Sequence, residues 1–152
     1  MGLFDKLKKA VSPTTPSGIM TPAATPATKP LEDLSGLDNL QVLEKIDSYC
    51  SAYASSLSNG KLNDSNALND IRHAVNEFDK RFNALPLSQR GGIAQDWRAV
   101  TSSLTCIDTF INSARNSKAL GFNTDSDYSV SAKGSVEQIQ ASVAKLYTEL
   151  TK

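Results

Sequence analysis

The chain is poor in the residues that make metal and nucleophile chemistry. One histidine and two cysteines occur in 152 residues, too few for a His-rich or Cys-rich metal site. No run of about 18 apolar residues is present, so no segment reads as a membrane-spanning helix. Charge of one sign is not in excess: 16 basic and 16 acidic side chains leave a net charge of zero. That excludes a protein that works mainly by bulk attraction to nucleic acid. The glycine-rich phosphate loops, the G-x-S-x-G elbow and the H-E-x-x-H zinc helix do not occur either. We therefore expect a non-enzymatic protein with no cofactor.

Proline is nearly missing beyond residue 30, and this divides the chain. Five of its six prolines are Pro13, Pro16, Pro22, Pro26 and Pro30. Residues 12–30 are rich in Pro, Thr and Ala and read as a flexible linker, because proline removes backbone donors and fixes φ. As a coil such a linker spans about 25 Å, and fully extended about 60 Å. Ile19 and Met20 are its only large apolar residues and read as isolated exposed side chains. Residues 1–11 precede the linker as a basic amphipathic segment, and residues 31–152 follow it as a helical domain. The charge divides at the same place. Four lysines against Asp5 give residues 1–30 a net +3, and residues 31–152 carry 12 basic against 15 acidic residues, a net −3.

In the domain the apolar residues recur at steps of three and four, one stripe per helix. The stripes are Leu43–Leu57, Leu68–Leu85, Ile93–Ile111 and Val136–Leu150. Period-2 alternation is not sustained anywhere. The expected fold is all-α, an antiparallel four-helix bundle with helices of about 20, 20, 28 and 17 residues. The runs are too short and too poor in flanking charge ladders for an intermolecular coiled coil. Asp38 with Gln41 suits a capping box for the first helix, and Asn59-Gly60 suits its end. Asp64 or Ser65 suits the start of the second helix, Ser88 the third, and Ser135 with Gln138 the fourth. Gly91-Gly92 falls early in the third helix and leads us to expect a frayed end or a close backbone approach. The connection over roughly 118–134 is then long for a bundle.

Few side chains offer chemistry. His73 falls off its helix's apolar stripe and reads as a surface histidine. Cys50 lies on a stripe and Cys106 beside one, at no zinc or redox spacing. Asp125 and Asp127 form a D-x-D pair without the other ligands of a calcium loop. Lys80, Arg81, Arg90 and Arg98 are interspersed with carboxylates and read as ordinary surface, so nucleic acid is not an expected partner.

The strongest functional signal is the N-terminal arm. On a helix, Leu3, Phe4, Leu7 and Val11 line one face, with Lys6, Lys8 and Lys9 on the other. Eleven residues make a marginal helix alone, so it forms on a partner. Three large side chains contribute at best about 1.5–3 kcal/mol each, and each lysine near an anionic leaflet about 1 kcal/mol. Ordering the segment opposes this, so one arm is a weak anchor, and many copies bind firmly. Acylation at Gly2 is not expected, because Lys6 stands where the motif wants Ser or Thr. Asp5 and the lysines also interrupt any apolar core of a secretory leader, so we expect a cytoplasmic protein, or one inside a particle assembled in the cytoplasm. Two cysteines fit a reducing compartment. The expected role is an assembly or adaptor protein. Its bundle meets a protein partner or multi-subunit assembly, homo-oligomers included, and its arm docks on an anionic membrane surface or a partner groove. The alternative is a structural component of a virion or other multi-subunit particle, with the arm tying into neighbouring subunits.

Overall fold

Capping chemistry sets the helix boundaries. In the computed structural model, which describes residues 30–152, the first helix α1 runs Asn39–Ser58. Asp38 and Gln41 exchange side-chain bonds with each other's backbone amides at 2.8 and 2.9 Å, the capping box their spacing suggests. The second helix α2 is Ser65–Ala84, and the Asp64 carboxylate accepts from the Ala67 amide at its start. The third, α3, is Leu87–Ala119, and the fourth, α4, is Asp125–Leu150. No strand occurs among the described residues.

Both longer turns use the same device. After α1, the Gly60 amide bonds the Leu57 carbonyl and the Lys61 amide bonds the Ser56 carbonyl. After α3, Gly121 bonds Lys118 and Phe122 bonds Ser117 in the same pattern. This double bond reversal needs a residue in the left-handed region, and Gly60 and Gly121 supply it at φ +78° and +94°.

Three boundaries differ from the sequence reading. The connection expected over 118–134 shrinks to residues 120–124, because α4 starts ten residues before Ser135. Its core-facing positions continue upstream as Ala132 and Ser129, both buried. These small residues keep the three–four spacing and carry little hydrophobicity, so the stripe fades from the sequence while the helix continues. Ser135 is then inside the helix, and Gln138 donates to Ser142 instead of closing a capping box. The third helix begins at Leu87, directly after Pro86, with no side-chain cap, so Ser88 is not its cap. Gly91 and Gly92 are helical, and nothing lies within 4 Å of where a Cβ would sit, so they do not serve a close approach.

The stripes meet in one core. Tyr53, Phe78, Leu43, Ile46, Leu68, Ile71, Ile107, Ile139 and Leu146 are fully buried. Helix α1 packs on both α2 and α4, α3 packs extensively on α4, and α2 meets α3 over a smaller area. Polar bonds tie the seams. Gln140 donates to the Asp47 carbonyl and to the Ser51 hydroxyl, and Tyr147 to Glu44. Arg72 pairs with Asp108. The Trp97 indole donates to Asp79 at 2.9 Å and its ring lies 4.7 Å from that of Phe78. Leu31–Lys152 form one compact unit.

Candidate functional site

The docking residues Leu3, Phe4, Leu7 and Val11, with Lys6, Lys8 and Lys9, lie outside the described residues. Two features of the described residues bear on the reading: the leader that precedes α1, and the exposed apolar end of the bundle.

The leader, residues 31–38, is held along α1 and α2. Leu34 supplies the apolar contact and is only 1% exposed. Arg81 supplies the polar one. Its guanidinium donates to the Leu34 carbonyl at 3.1 Å and to the Leu37 carbonyl, while Nε bonds Glu77 at 2.9 Å. That bond from Arg81 is the main reason the Glu77 carboxyl titrates below its ordinary value. Upstream, the Glu32 carboxylate accepts from the Tyr49 hydroxyl at 2.6 Å and pairs with Lys45 at 2.9 Å. Burial, then the bond to Glu32, pushes the Tyr49 hydroxyl well above the usual tyrosine range. His73 lies 2.6 Å through Nε2 from the Glu32 carbonyl. Half-buried against the leader, it is not the free surface histidine its sequence position suggests. Its partner is 41 residues away in sequence, and no periodicity argument reaches that far. The Arg81 contacts were missed for the same reason.

Two of the basic residues at the end of α2 are engaged within the fold. Arg81 is committed to the leader and Glu77, and Lys80 pairs with the same carboxylate. The cysteines are separate and reduced. Cys50 is buried, and burial pushes its thiol up to about 12; Cys106 is exposed. Asp125 and Asp127 occupy the first turn of α4, where the helix dipole favours carboxylates, and Asp125 pairs with Lys118 at 2.8 Å. No cluster of three metal-ligating side chains exists among the described residues. No described helix is long and apolar enough to cross a membrane.

The bundle end formed by the two glycine turns carries the second feature. Leu120, Phe122 and Val130 are 76%, 64% and 74% exposed. The turn explains Phe122. The residue after such a glycine normally packs on the helix position that accepts its amide bond, and here that position is Ser117. Beside it, a groove of 530 Å³ runs between the α1 C-terminus and the α4 N-terminus, lined by Leu57, Asn123, Ser129, Val130 and Lys133 among others. The L-G-F sequence in an exposed turn is the signal for this feature, and the small buried residues Ser129 and Ala132 of the following helix mask it as part of a longer loop. No family model, no curated protein and no solved structure matches this chain.

Proposed function

We propose that the chain is a non-enzymatic assembly or adaptor protein. In this reading residues 31–152 are an antiparallel bundle that makes protein contacts. Residues 1–11 dock on a membrane surface or partner groove through Leu3, Phe4, Leu7 and Val11, with Lys6, Lys8 and Lys9 supplying charge. The order of the seam bonds supports the antiparallel arrangement: Glu44 meets Tyr147, and Ser51, seven residues on, meets Gln140.

The observation that carries the reading is the layout of the chain. A basic amphipathic segment and a Pro-rich spacer of residues 12–30 precede a domain whose leader is fastened by Arg81, Glu32 and Leu34. A tether is useful when its near end is fixed, and the first fastened residue of this leader is Glu32. The affinity of one arm is low, so the reading favours a protein present in many copies at its site of action.

Flotation of the full chain with vesicles tests it. The native chain is expected to float with phosphatidylserine-containing vesicles. Phe4→Glu is expected to stay at the bottom, with an unchanged melting temperature. Retained flotation of Phe4→Glu refutes the role of the arm. If the native chain does not float with either neutral or anionic vesicles, lipid is excluded, and the arm is a protein-docking peptide or is inert. Loss of higher-order assembly in Phe4→Glu would then favour the tie into neighbouring subunits.

A further inference from the structure

We propose that the arm of one copy docks in the groove along the α1–α4 seam of a second copy. The proposal rests on the reading of residues 1–11 as a docking segment and names the partner groove it fits. The groove has a volume of 360 Å³ and is lined by α1 and α4 alone. Leu43, Val143, Ala144 and Tyr147 give it an apolar lining, and Glu44 and Asp47 stand among them. On α4 the lining runs from Gln140 to Thr148, a stretch of about 12 Å of helix. The arm's apolar residues run from Leu3 to Val11, a stretch of the same length. An amphipathic helix laid in a groove is a recurring mode of recognition, and a short helix is ordered as it binds.

Charge identifies the occupant. The groove is lined by the two carboxylates and by no basic side chain. The hollow that shares Ala144 and Thr148 with it adds Asp96, Glu149 and Lys145, and Glu149 pairs with Lys152. With both members of that pair counted, four carboxylates face two lysines, a net −2. Lys45, beside Glu44 in sequence, pairs with Glu32, and the two cancel. The Tyr147 hydroxyl reports the field. The Glu44 charge, then the hydrogen bond to Glu44, hold it above the ordinary tyrosine value, and Asp38 adds to this. The arm carries Lys6, Lys8 and Lys9 against Asp5, a net +2. An apolar stripe flanked by lysines thus meets an apolar groove edged by carboxylates. The same carboxylates repel an anionic leaflet, so lipid does not suit this seam.

Reach favours a second copy. Fully extended, residues 12–30 span about 60 Å, and a domain the size of residues 31–152 has a radius of gyration of about 14 Å, so the arm has the reach to meet a neighbour. Each chain brings an arm and a groove, and the contact runs head to tail from copy to copy. A single such contact is weak and repetition makes it firm, which suits an assembling protein.

Charge reversal in the full chain tests it, by sedimentation velocity at low salt. The native chain is expected to associate as its concentration rises, and Phe4→Glu to stay monomeric. A groove-reversed chain, Glu44→Lys/Asp47→Lys, and an arm-reversed chain, Lys6→Glu/Lys8→Glu/Lys9→Glu, should each associate at least about tenfold more weakly. Mixed in equal amounts they should associate again, because each arm then finds a groove of opposite charge on the other chain. Melting temperatures should hold, since Glu44 and Asp47 are exposed. A native chain that stays monomeric at every concentration overturns the inference. If its flotation with anionic vesicles still depends on Phe4, the arm stands as a lipid anchor. Association that Phe4→Glu abolishes but the groove reversal leaves untouched also overturns the inference, and puts the arm's target elsewhere on the second copy. Association and flotation that are both indifferent to Phe4 overturn the docking reading itself.

Discussion

Replacing glycine by alanine should change the sign of its effect along this chain. Gly91, Gly92 and Gly134 lie inside helices, are exposed, and have nothing within 4 Å of an added Cβ. Alanine there restricts the unfolded chain and adds no clash, so each change should stabilise by about 0.5–1 kcal/mol. The triple variant should gain about 2 kcal/mol, a rise in melting temperature on the order of 8 °C for a domain of this size. Gly60 and Gly121 also have open space around them, but their φ values are +78° and +94°. A Cβ in that region costs about 1–2 kcal/mol, so Gly60→Ala and Gly121→Ala should each destabilise by that amount. Urea unfolding followed by helical circular dichroism measures all five changes on one scale. Gly134→Ala is the decisive one. If it destabilises as Gly121→Ala does, α4 does not pass through residue 134, and the fourth helix begins near Ser135 after all.

Three further outcomes are expected. Arg81→Ala should cost about 2–3 kcal/mol in urea unfolding, since it removes charged donors from two leader carbonyls, and should speed amide exchange over residues 34–38; unchanged exchange there would show that Leu34 alone holds the leader. A thiol reagent should modify one cysteine of the native chain quickly, the exposed Cys106, while the buried Cys50, its thiol pushed up to about 12, reacts only on unfolding; two fast thiols would contradict the packing of α1. Asp64 titrates below its ordinary value, chiefly because it accepts from the Ser56 hydroxyl, so its contribution is complete above about pH 4 and is lost as pH falls through its lower folded value; Asp64→Asn should therefore lose less stability than the native chain between about pH 4 and pH 2, and equal losses would refute the linkage.

The helices were legible where large apolar side chains met clear caps. The Asp38–Gln41 box, the Asn59-Gly60 exit and the Asp64 cap stand where the residues suggest. Legibility failed where the core face was built from small residues, as at Ser129 and Ala132, because a hydrophobicity pattern does not register a buried serine. Gly134 and Ser135 then looked like a boundary, and the Leu120-Gly121 exit of α3 was hidden inside an apparent loop. The leader contacts were illegible for a different reason. Glu32–His73 and Leu34–Arg81 join residues more than 40 positions apart, and only the packing of α1 on α2 brings them together. The arm, whose docking reading rests on the local facing of Leu3, Phe4, Leu7 and Val11, lies outside the described residues.

The latch on the leader has a mechanical consequence. Tension applied at Leu31 first meets Glu32, with its bonds to Tyr49, Lys45 and His73, then the buried Leu34 and the Arg81 bonds. These contacts yield one after another before any load reaches the first turn of α1. The leader thus yields in steps: a pull on the tether must break the Glu32 bonds and draw Leu34 out of the core before it reaches the capping box at Asp38.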